Sequence, residues 1–235
     1  MHFEARLRHF AVELPQVSPT RVLCVGSGNQ RVWLEPLLLG VRPDLEFVHT
    51  DIDTEASVDL FCDAHDLPFY NESFHGAVCT AVLEHVLYPE RAVAEMHRVI
   101  TNGGLIYTEI PFMQQVHEGA YDFTRYTHAG HRRLMRDFAE IDSGANAGPG
   151  TALLWALEHF ALSFVIAESS RLRTKAIIRL LFGGLKRWDY RVANSPQFYD
   201  GASATFFLGR KQAGYRRSDA EIIAGYRGAG SLRHY

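Results

Sequence analysis

The chain has 235 residues, 47% of them hydrophobic and 22% charged, which is enough to bury the core of one globular domain. Its formal net charge is -3, whereas a general nucleic-acid binder has an excess of basic residues, so no nucleic-acid partner is expected. The cysteines lie inside apolar segments without the spacing of a zinc or redox motif, and we expect buried thiols. The N-terminal residues mix charges with apolar side chains, unlike a signal peptide, which predicts a cytoplasmic protein.

Predicted strands and helices alternate along the first half of the chain. The predicted strands are short apolar runs bounded by turn-forming residues, and they cover residues 21–25, 45–49, 58–62, 76–82 and 105–110. Two predicted helices lie among them, at 30–39 before Gly40 and at 89–100 after an initial proline. Repetition of strand, helix and strand predicts an α/β fold with a doubly wound, mostly parallel sheet.

The second half of the chain departs from this alternation. Its predicted elements are a helix at 128–138, a strand at 139–143, a glycine-rich break at 144–150, an apolar helix at 151–167 and a returning strand at 202–211. Residues 151–195 are therefore interpreted as a helical insertion before the last strand of one domain, 1–211. Residues 212–235 are interpreted as a C-terminal extension on the surface.

The first predicted strand ends in Gly26-Ser27-Gly28, and the second is followed by Asp51 and Asp53. Glycine has no Cβ, so the backbone at such a turn can approach a ligand closely. Asp51 lies directly at the strand end, where a carboxylate can accept two hydrogen bonds from a ribose. Asp53 is interpreted as a cap of the following helix. This order of elements favours a cofactor that carries a nucleoside.

Four motifs occur in order between residues 21 and 110. They are Val25-Gly-Ser-Gly28, His49-Thr-Asp-Ile-Asp53, Asp63-Ala-His-Asp-Leu-Pro-Phe69 and Val82-Leu-Glu-His-Val86. Together they resemble the class I S-adenosylmethionine-dependent methyltransferases, in the type 11-like group. The resemblance implies a seven-stranded Rossmann-like methyltransferase sheet and S-adenosylmethionine as the cofactor.

The resemblance also implies a set of cofactor-binding residues. They are Gly26, Ser27, Gly28, Asp51, Ile52, Asp63, Ala64, His65, Thr80, Ala81 and His85. In this set Asp63 accepts a hydrogen bond from the adenine amino group, while Ala64 and His65 line the ring. The alternative is that Asp63 and Asp66 are turn formers before Leu-Pro.

The chain departs from the family pattern at three positions. Cys24 stands where an acidic residue is usual, Gln30 replaces a third glycine, and His75 replaces an aspartate. The missing carboxylate predicts weaker cofactor binding, so a non-catalytic relative that binds the cofactor or acts as a scaffold stays open as an alternative. A nicotinamide-dependent oxidoreductase is a second alternative. Its glycine motif needs a third glycine where this chain has Arg31, which argues against that class.

Titratable and aromatic residues crowd the segment 111–127, which follows the fifth predicted strand. The segment therefore lies at the carboxyl end of the predicted sheet. Open α/β sheets bind their ligands at the carboxyl ends of the strands, so the segment is a candidate acceptor site. We interpret His117 and Asp122 as catalytic, with His85 as a further possible base, although the loop could also serve only to tie down the next helix. Its Asp-Phe-Thr-Arg-Tyr-Thr run is similar to bacterial members linked to glycan modification, which implies methylation of a small-molecule or glycan-type acceptor at oxygen. No metal is expected, because the histidines lack ligand spacing.

Residues 171–191 hold seven basic residues against one acid, with apolar residues among them. This mixture predicts an amphipathic helix, which could lie on an anionic membrane surface or cap the acceptor pocket. The apolar segment 151–167 is shorter than the roughly 20 residues that a bilayer span needs, and a buried helix is the simpler interpretation.

Overall fold

The structure is a computed structural model, and it describes residues 3–193 and 195–230. The strands are β1 (Thr20–Val25), β2 (Leu45–Asp51), β3 (Leu60–Phe61), β4 (Phe74–Thr80), β5 (Ile100–Pro111), β6 (Phe138–Ala147) and β7 (Ala204–Lys211). The helices are α1 (Phe3–Glu13), α2 (Arg31–Leu39), α3 (Pro89–Val99), α4 (His128–Leu134), α5 (Pro149–Leu162), α6 (Glu168–Phe182), α7 (Leu185–Val192), α8 (Pro196–Asp200) and α9 (Asp219–Ala224).

The strands form a seven-stranded sheet in the order β3-β2-β1-β4-β5-β7-β6. Strands β1 to β5 pair in parallel, whereas β7 runs antiparallel to both β5 and β6. The predicted mostly parallel, seven-stranded sheet is thereby confirmed. The strand order reverses direction between β1 and β4, and open α/β sheets bind ligands at the carboxyl ends of the strands at such a switch point.

Apolar side chains cover both faces of the sheet. On one face, residues of α3 such as Met96 pack with the buried side chains of β4 and β5. On the other, α1 and α2 contribute Leu7, Phe10 and Leu38. Helix α1, which was not among the predicted elements, lies so close to β4 that a Cβ on Gly76 would come within 2.8 Å of the Phe10 ring. The central strands are thus packed against helices on both sides.

Strand β6 is longer than predicted, and the predicted break at 144–150 is wrong in its first half. Gly144 pairs with Phe206 and Ala145 with Thr205 in the antiparallel ladder of β7. The Phe206 ring covers Gly144 so closely that an added Cβ would lie 3.1 Å from it. An added Cβ would need the Phe206 ring to shift by a few tenths of an ångström, so the packing favours a small residue at this position, where the sequence pattern indicated a turn.

The segment between β6 and β7 is helical, but residues 171–191 form two helices where one was predicted. Helices α6 and α7 are separated at Gly183 and Gly184. The Asp189 carboxylate of α7 accepts the backbone N–H groups of Gly150 and Thr151 over 2.7 and 2.9 Å, which ties α7 to the start of α5. Within the described residues, no helix is both long and apolar enough to cross a bilayer.

The described part of the C-terminal extension, 212–230, packs against the domain. Ile222 of α9 is buried, and the Arg132 guanidinium of α4 donates hydrogen bonds to the carbonyl oxygens of Ile222 and Gly225. Helix α9 begins with a capping box in which the Ser218 and Glu221 side chains accept each other's backbone N–H. The extension therefore supports α4, which follows the predicted acceptor loop.

Candidate active site

The loops after β1 and β4 meet at the switch point of the sheet. Gly26 has φ +60°, and a Cβ at this position would lie 2.4 Å from Cγ2 of Val82 in the loop after β4. Only glycine accepts both this backbone conformation and this close approach. Gly28 also has a positive φ, of +48°. The two glycines thus form a turn whose backbone is open to a ligand.

Asp51 ends β2 beside the glycine turn. Its Oδ2 accepts the backbone N–H of Gly28 over 2.7 Å, and its Oδ1 accepts the backbone N–H of Asp53 over 2.9 Å. Each carboxylate oxygen has a second lone pair, so Asp51 can still accept hydrogen bonds from two ribose hydroxyls. Ile52 follows with 71% of its surface exposed, next to this carboxylate. A cofactor that carries a nucleoside fits this edge.

A series of hydrogen-bonded polar groups supports the glycine turn on the side that faces the protein interior. The Ser27 backbone N–H donates to the Thr50 carbonyl over 3.0 Å, and the Ser27 hydroxyl lies 3.0 Å from Nδ1 of His49. Nε2 of His49 is 3.1 Å from Oε1 of Glu35. Cys24, where the family pattern has a carboxylate, is buried, and its burial raises the pKa of its thiol. The turn is fixed here without an acidic residue at position 24.

The end of β4 is tied to the start of α2. The Thr80 hydroxyl donates to Oε1 of Gln30 over 3.0 Å, so the side chain that replaces a third glycine is used to join two elements of the site. Ala81 then adopts φ +55°, and its backbone N–H donates to the Glu109 carbonyl over 3.0 Å. A non-glycine residue in this conformation is strained, and such strain is concentrated at functional sites.

Asp63 and His65 form a local hydrogen-bonded pair after β3. Oδ1 of Asp63 accepts from the backbone N–H and from Nδ1 of His65, over 2.8 and 2.6 Å. Nε2 of His65 accepts the backbone N–H of Tyr88 over 3.1 Å. Although partial burial raises the pKa of Asp63, the hydrogen bonds from His65 lower it overall, so the carboxylate is ionised. These hydrogen bonds are compatible with both interpretations of Asp63, as a turn former and as an acceptor for the adenine amino group.

His75 lies at the start of β4, away from the carboxyl ends of the strands. Its Nδ1 accepts the backbone N–H of Arg21 over 3.0 Å. This departure from the family pattern therefore lies in a contact between the amino ends of β1 and β4, at the edge of the sheet opposite the glycine turn.

His117 and Asp122 lie together in the loop after β5, beside the segment after β4. Oδ2 of Asp122 accepts the backbone N–H of His117 over 3.0 Å and lies 3.4 Å from Nδ1 of its ring. Nε2 of His117 is 3.1 Å from Nε2 of His85. The fold thus places both predicted catalytic residues and His85 in one cluster, although 32 residues separate the two histidines.

Arg125 fixes the shape of this loop. Its guanidinium binds both carboxylate oxygens of Asp122 and donates to the carbonyl oxygens of Gln114 and Gln115. The hydrogen bonds from Arg125 lower the pKa of the buried Asp122 to about 2. Asp122 is therefore a fixed negative charge that orients His117.

Glu84 completes the cluster and was not among the predicted site residues. Its side chain is fully buried, and neither carboxylate oxygen has a hydrogen-bond partner among the described residues. Oε1 lies 3.6 Å from Nε2 of His85 and 3.8 Å from Nε2 of His117. Burial raises the pKa of Glu84 to about 7. Its place in the Leu-Glu-His motif was a sequence signal for this role. Gln30, His49 and Arg125 also lie in or beside segments that the sequence pattern singled out, but the pattern did not predict their contacts.

The predicted cofactor residues all lie at the carboxyl edge of the sheet, at the ends of β2 and β4 or in the segments after β1, β2, β3 and β4. The predicted catalytic residues follow β5 at the same edge. The expectation of no metal rested only on the spacing of the histidines along the sequence. In the folded chain, however, Glu84, His85 and His117 lie close enough together to bind a metal ion.

Comparisons with known proteins agree with this arrangement. Residues 23–108 match a family model described as a methyltransferase domain. A search of curated proteins finds no match to the sequence. Among solved structures, a chain from the complex that contains the Haloferax volcanii Trm112 methyltransferase activator is 16% identical, with a TM-score of 0.55 and 90% of each chain covered.

Two further structures share the fold. Phosphoethanolamine N-methyltransferase 2 of Haemonchus contortus, solved with S-adenosyl-L-methionine, is 14% identical with a TM-score of 0.55, and the match covers 89% of this chain and 53% of that one. The [4+2]-cyclase SpnF is 17% identical with a TM-score of 0.52, covering 90% of this chain and 81% of that one. The match over residues 23–108, the sheet order and the glycine turn beside Asp51 show that the chain contains a methyltransferase domain with the Rossmann-like methyltransferase fold, and S-adenosylmethionine is the cofactor consistent with it.

Proposed function

We propose that this enzyme transfers the methyl group of S-adenosylmethionine to a hydroxyl oxygen of a small-molecule or glycan-type acceptor. The observation that carries the proposal is the pairing of His117 with Asp122 at the cofactor edge of the sheet. A hydroxyl acceptor has a high pKa, so transfer to oxygen benefits from a nearby proton acceptor. An amine acceptor would need no such group once deprotonated.

The cofactor supplies an activated methyl group when it is bound. In this proposal Asp51 accepts the ribose hydroxyls, while the backbone of Gly26, Ser27 and Gly28 lines the methionyl side. Asp63, Ala64 and His65 face the adenine, and the remaining contacts come from Ile52, Thr80, Ala81 and His85. The glycine turn supports this assignment, because a Cβ on Gly26 would close the gap between two loops.

His117 is the proposed proton acceptor. Its Nδ1 faces two acceptor oxygens, the Gln115 carbonyl at 3.3 Å and Oδ2 of Asp122 at 3.4 Å, so Nδ1 carries the hydrogen. This tautomer leaves a lone pair on Nε2. Asp122 does not take the proton itself, because Arg125 keeps it ionised. It holds the imidazole in the productive tautomer, as the buried carboxylate of a catalytic triad does.

A product-release assay tests the proposal. Purified protein with S-adenosylmethionine is offered sugar, lipid-linked glycan, phenolic and amine acceptors, and formation of S-adenosylhomocysteine is measured. We expect turnover with at least one hydroxyl acceptor and its loss in His117→Ala. Turnover confined to amine acceptors would contradict transfer to oxygen.

The alternative is a relative that binds the cofactor without catalysis, and the missing carboxylate at Cys24 is what favours it. A thermal-shift panel with S-adenosylmethionine, S-adenosylhomocysteine and nicotinamide dinucleotides separates the possibilities. Stabilisation by the two adenosyl compounds with no turnover on any acceptor supports the alternative. Stabilisation by a nicotinamide dinucleotide alone would contradict both.

We also propose that α6 and α7 contact an anionic membrane surface, where a lipid-linked glycan acceptor would be found. Asp189, the one acid within residues 171–191, is buried against α5, so it does not offset the basic side chains. Leu172, Leu180 and Leu181 are exposed among those side chains. Basic and apolar groups together favour binding at an anionic interface.

Flotation with liposomes tests this contact. We expect binding to vesicles that contain phosphatidylserine at low salt, with loss at high salt or in the double variant Arg171→Glu, Arg173→Glu. Arg8→Glu, on an exposed face of α1, is the matched control and keeps binding. Flotation that is equal for neutral and anionic vesicles would contradict the proposal.

A further inference from the structure

Three side chains from two distant segments direct ligand atoms into one small space. Glu84 and His85 come from the segment after β4, and His117 comes from the loop after β5. One carboxylate oxygen and the two Nε2 atoms lie within 4.8 Å of one another. Within residues 3–193 and 195–230, this is the one cluster of histidine, cysteine or acidic side chains with such an arrangement.

Neighbouring carbonyl and carboxylate oxygens determine the tautomers of both histidines. Nδ1 of His85 donates to the Tyr121 carbonyl over 2.8 Å, and a carbonyl can only accept. Nδ1 of His117 likewise faces only acceptor oxygens. In the neutral rings both Nε2 atoms therefore present lone pairs, and these face each other across 3.1 Å. Two facing lone pairs repel each other unless a cation lies between them.

The carboxylate of Glu84 provides a second, independent indication that a cation binds beside the two imidazoles. Its carboxylate is fully buried and directed towards the two Nε2 atoms, yet neither oxygen has a hydrogen-bond partner among the described residues. A buried carboxylate without a partner is energetically unfavourable, so native proteins pair it or use it to bind a metal. The backbone of Glu84 is fixed, because its carbonyl accepts the N–H groups of Phe123 and Thr124.

The spacing of the three atoms fits a small divalent cation. The sides of the triangle are 3.1 Å between the Nε2 atoms and 3.6 and 3.8 Å from Oε1 of Glu84 to each of them. Its centre lies about 2.0 Å from every corner, and Zn–N and Zn–O bonds are about 2.0–2.2 Å long. Two histidines with one carboxylate are a ligand set for Zn²⁺ and other first-row transition metals.

We propose that Glu84, His85 and His117 form a binding site for a divalent transition-metal ion such as Zn²⁺. The Tyr121 carbonyl and Asp122 hold the two imidazoles from behind, in the manner of the outer partners of metal-binding histidines. Three protein ligands leave a coordination position free, as in catalytic zinc sites. The ion also joins the segment after β4 to the loop after β5.

The free position gives the ion a role in acceptor binding, and this role rests on the proposed function. The ion and the acceptor proton use the same atom, Nε2 of His117. With the metal bound, Nε2 of His117 would hold the ion and could not take the proton, and the acceptor hydroxyl, acidified by the ion, would release its proton to solvent.

Metal titration of the purified full-length chain tests the site. The protein is stripped with a chelator and titrated calorimetrically with Zn²⁺, in the absence of cofactor and acceptor. We expect one Zn²⁺ per chain in the wild type. Glu84→Gln and His117→Ala should each weaken binding at least about tenfold, because each removes one of three ligands. His9→Ala, which removes an exposed histidine of α1, should bind Zn²⁺ like the wild type.

Circular dichroism and binding of S-adenosylhomocysteine verify that each variant is folded. Absence of Zn²⁺ binding in the wild type, or equal binding in Glu84→Gln and His117→Ala, would overturn the proposal and leave a shared proton between the two imidazoles as the explanation of their contact. A chain that binds Zn²⁺ here but methylates nothing refutes the proposed function alone. A chain that methylates acceptors without affinity for Zn²⁺ refutes the metal site alone.

Discussion

Asp51 accepts the backbone N–H of Gly28 through Oδ2, over 2.7 Å. One carboxylate thereby fixes the glycine turn while retaining lone pairs for a ribose. The turn after β1 and the end of β2 are consequently a single unit, and a change in either residue is expected to affect cofactor binding.

Asp51→Ala should lower the affinity for S-adenosylhomocysteine at least about tenfold, because charge-assisted hydrogen bonds contribute about 1.5–3 kcal/mol each. Isothermal titration calorimetry measures the change. The matched control is Asp53→Ala, since the Asp53 side chain only accepts the backbone N–H of Glu55 in an exposed turn. Equal losses in both variants would contradict the assignment of the ribose to Asp51.

Gly26→Ala should destabilise the protein more than Gly103→Ala does. Both glycines have positive φ, +60° and +85°, so alanine costs about 1–2 kcal/mol of backbone strain at either position. Only at Gly26 does the new Cβ also meet Val82, whereas no atom of the described residues lies within 4 Å of a Cβ at Gly103. The extra overlap should add about 1–3 kcal/mol, measured by urea unfolding. Equal destabilisation would show that the loops at the switch point can move apart.

Asp122→Asn should reduce turnover about 10- to 100-fold while cofactor affinity stays within about twofold, since the change disrupts the orientation of His117 and not the adenosine site. Steady-state kinetics and cofactor titration together make the measurement. Glu118→Gln, an exposed acid in the same loop, is the control and should keep turnover. Loss of cofactor binding in Asp122→Asn would place Asp122 in the cofactor site instead.

His131 should make stability depend on pH. It is fully buried between the hydroxyls of Thr108 and Thr205, and burial lowers its pKa to about 3. Its pKa in the unfolded chain is about 6.5. Above that pH neither state binds the proton. As the pH falls below it, only the unfolded state does, and the stability contributed by His131 is lost.

The comparison of wild type with His131→Gln isolates this effect from other titrating groups. The wild type should be the more stable protein at pH 7.5. At pH 5 its advantage should be smaller by on the order of 2 kcal/mol. Urea unfolding at both pH values measures the difference, with His9→Gln as a control for loss of an exposed histidine. A difference that does not change with pH would mean that His131 is protonated in the folded state.

The amino-acid sequence alone determined the order of the first five strands along the chain, the glycine turn after β1 and the acidic residue at the end of β2. Apolar runs and turn residues specify these features because their influence on the backbone extends over only a few neighbouring positions. These local signals predicted a mostly parallel sheet and a cofactor that carries a nucleoside, and the resemblance of the four motifs to a known family implied the enzyme class and S-adenosylmethionine. The local signals were misleading at Gly144, where a residue typical of turns lies inside β6, in close contact with the Phe206 ring.

Only the tertiary structure decided which distant residues meet. His117 lies 32 residues from His85 in sequence, and their contact depends on the parallel pairing of β4 with β5, which brings the segments after both strands to one edge. The buried state of Glu84 likewise follows from the loop that covers it, through its hydrogen bonds from Phe123 and Thr124. No pattern of neighbouring residues encodes such contacts, since they exist only once the sheet has assembled.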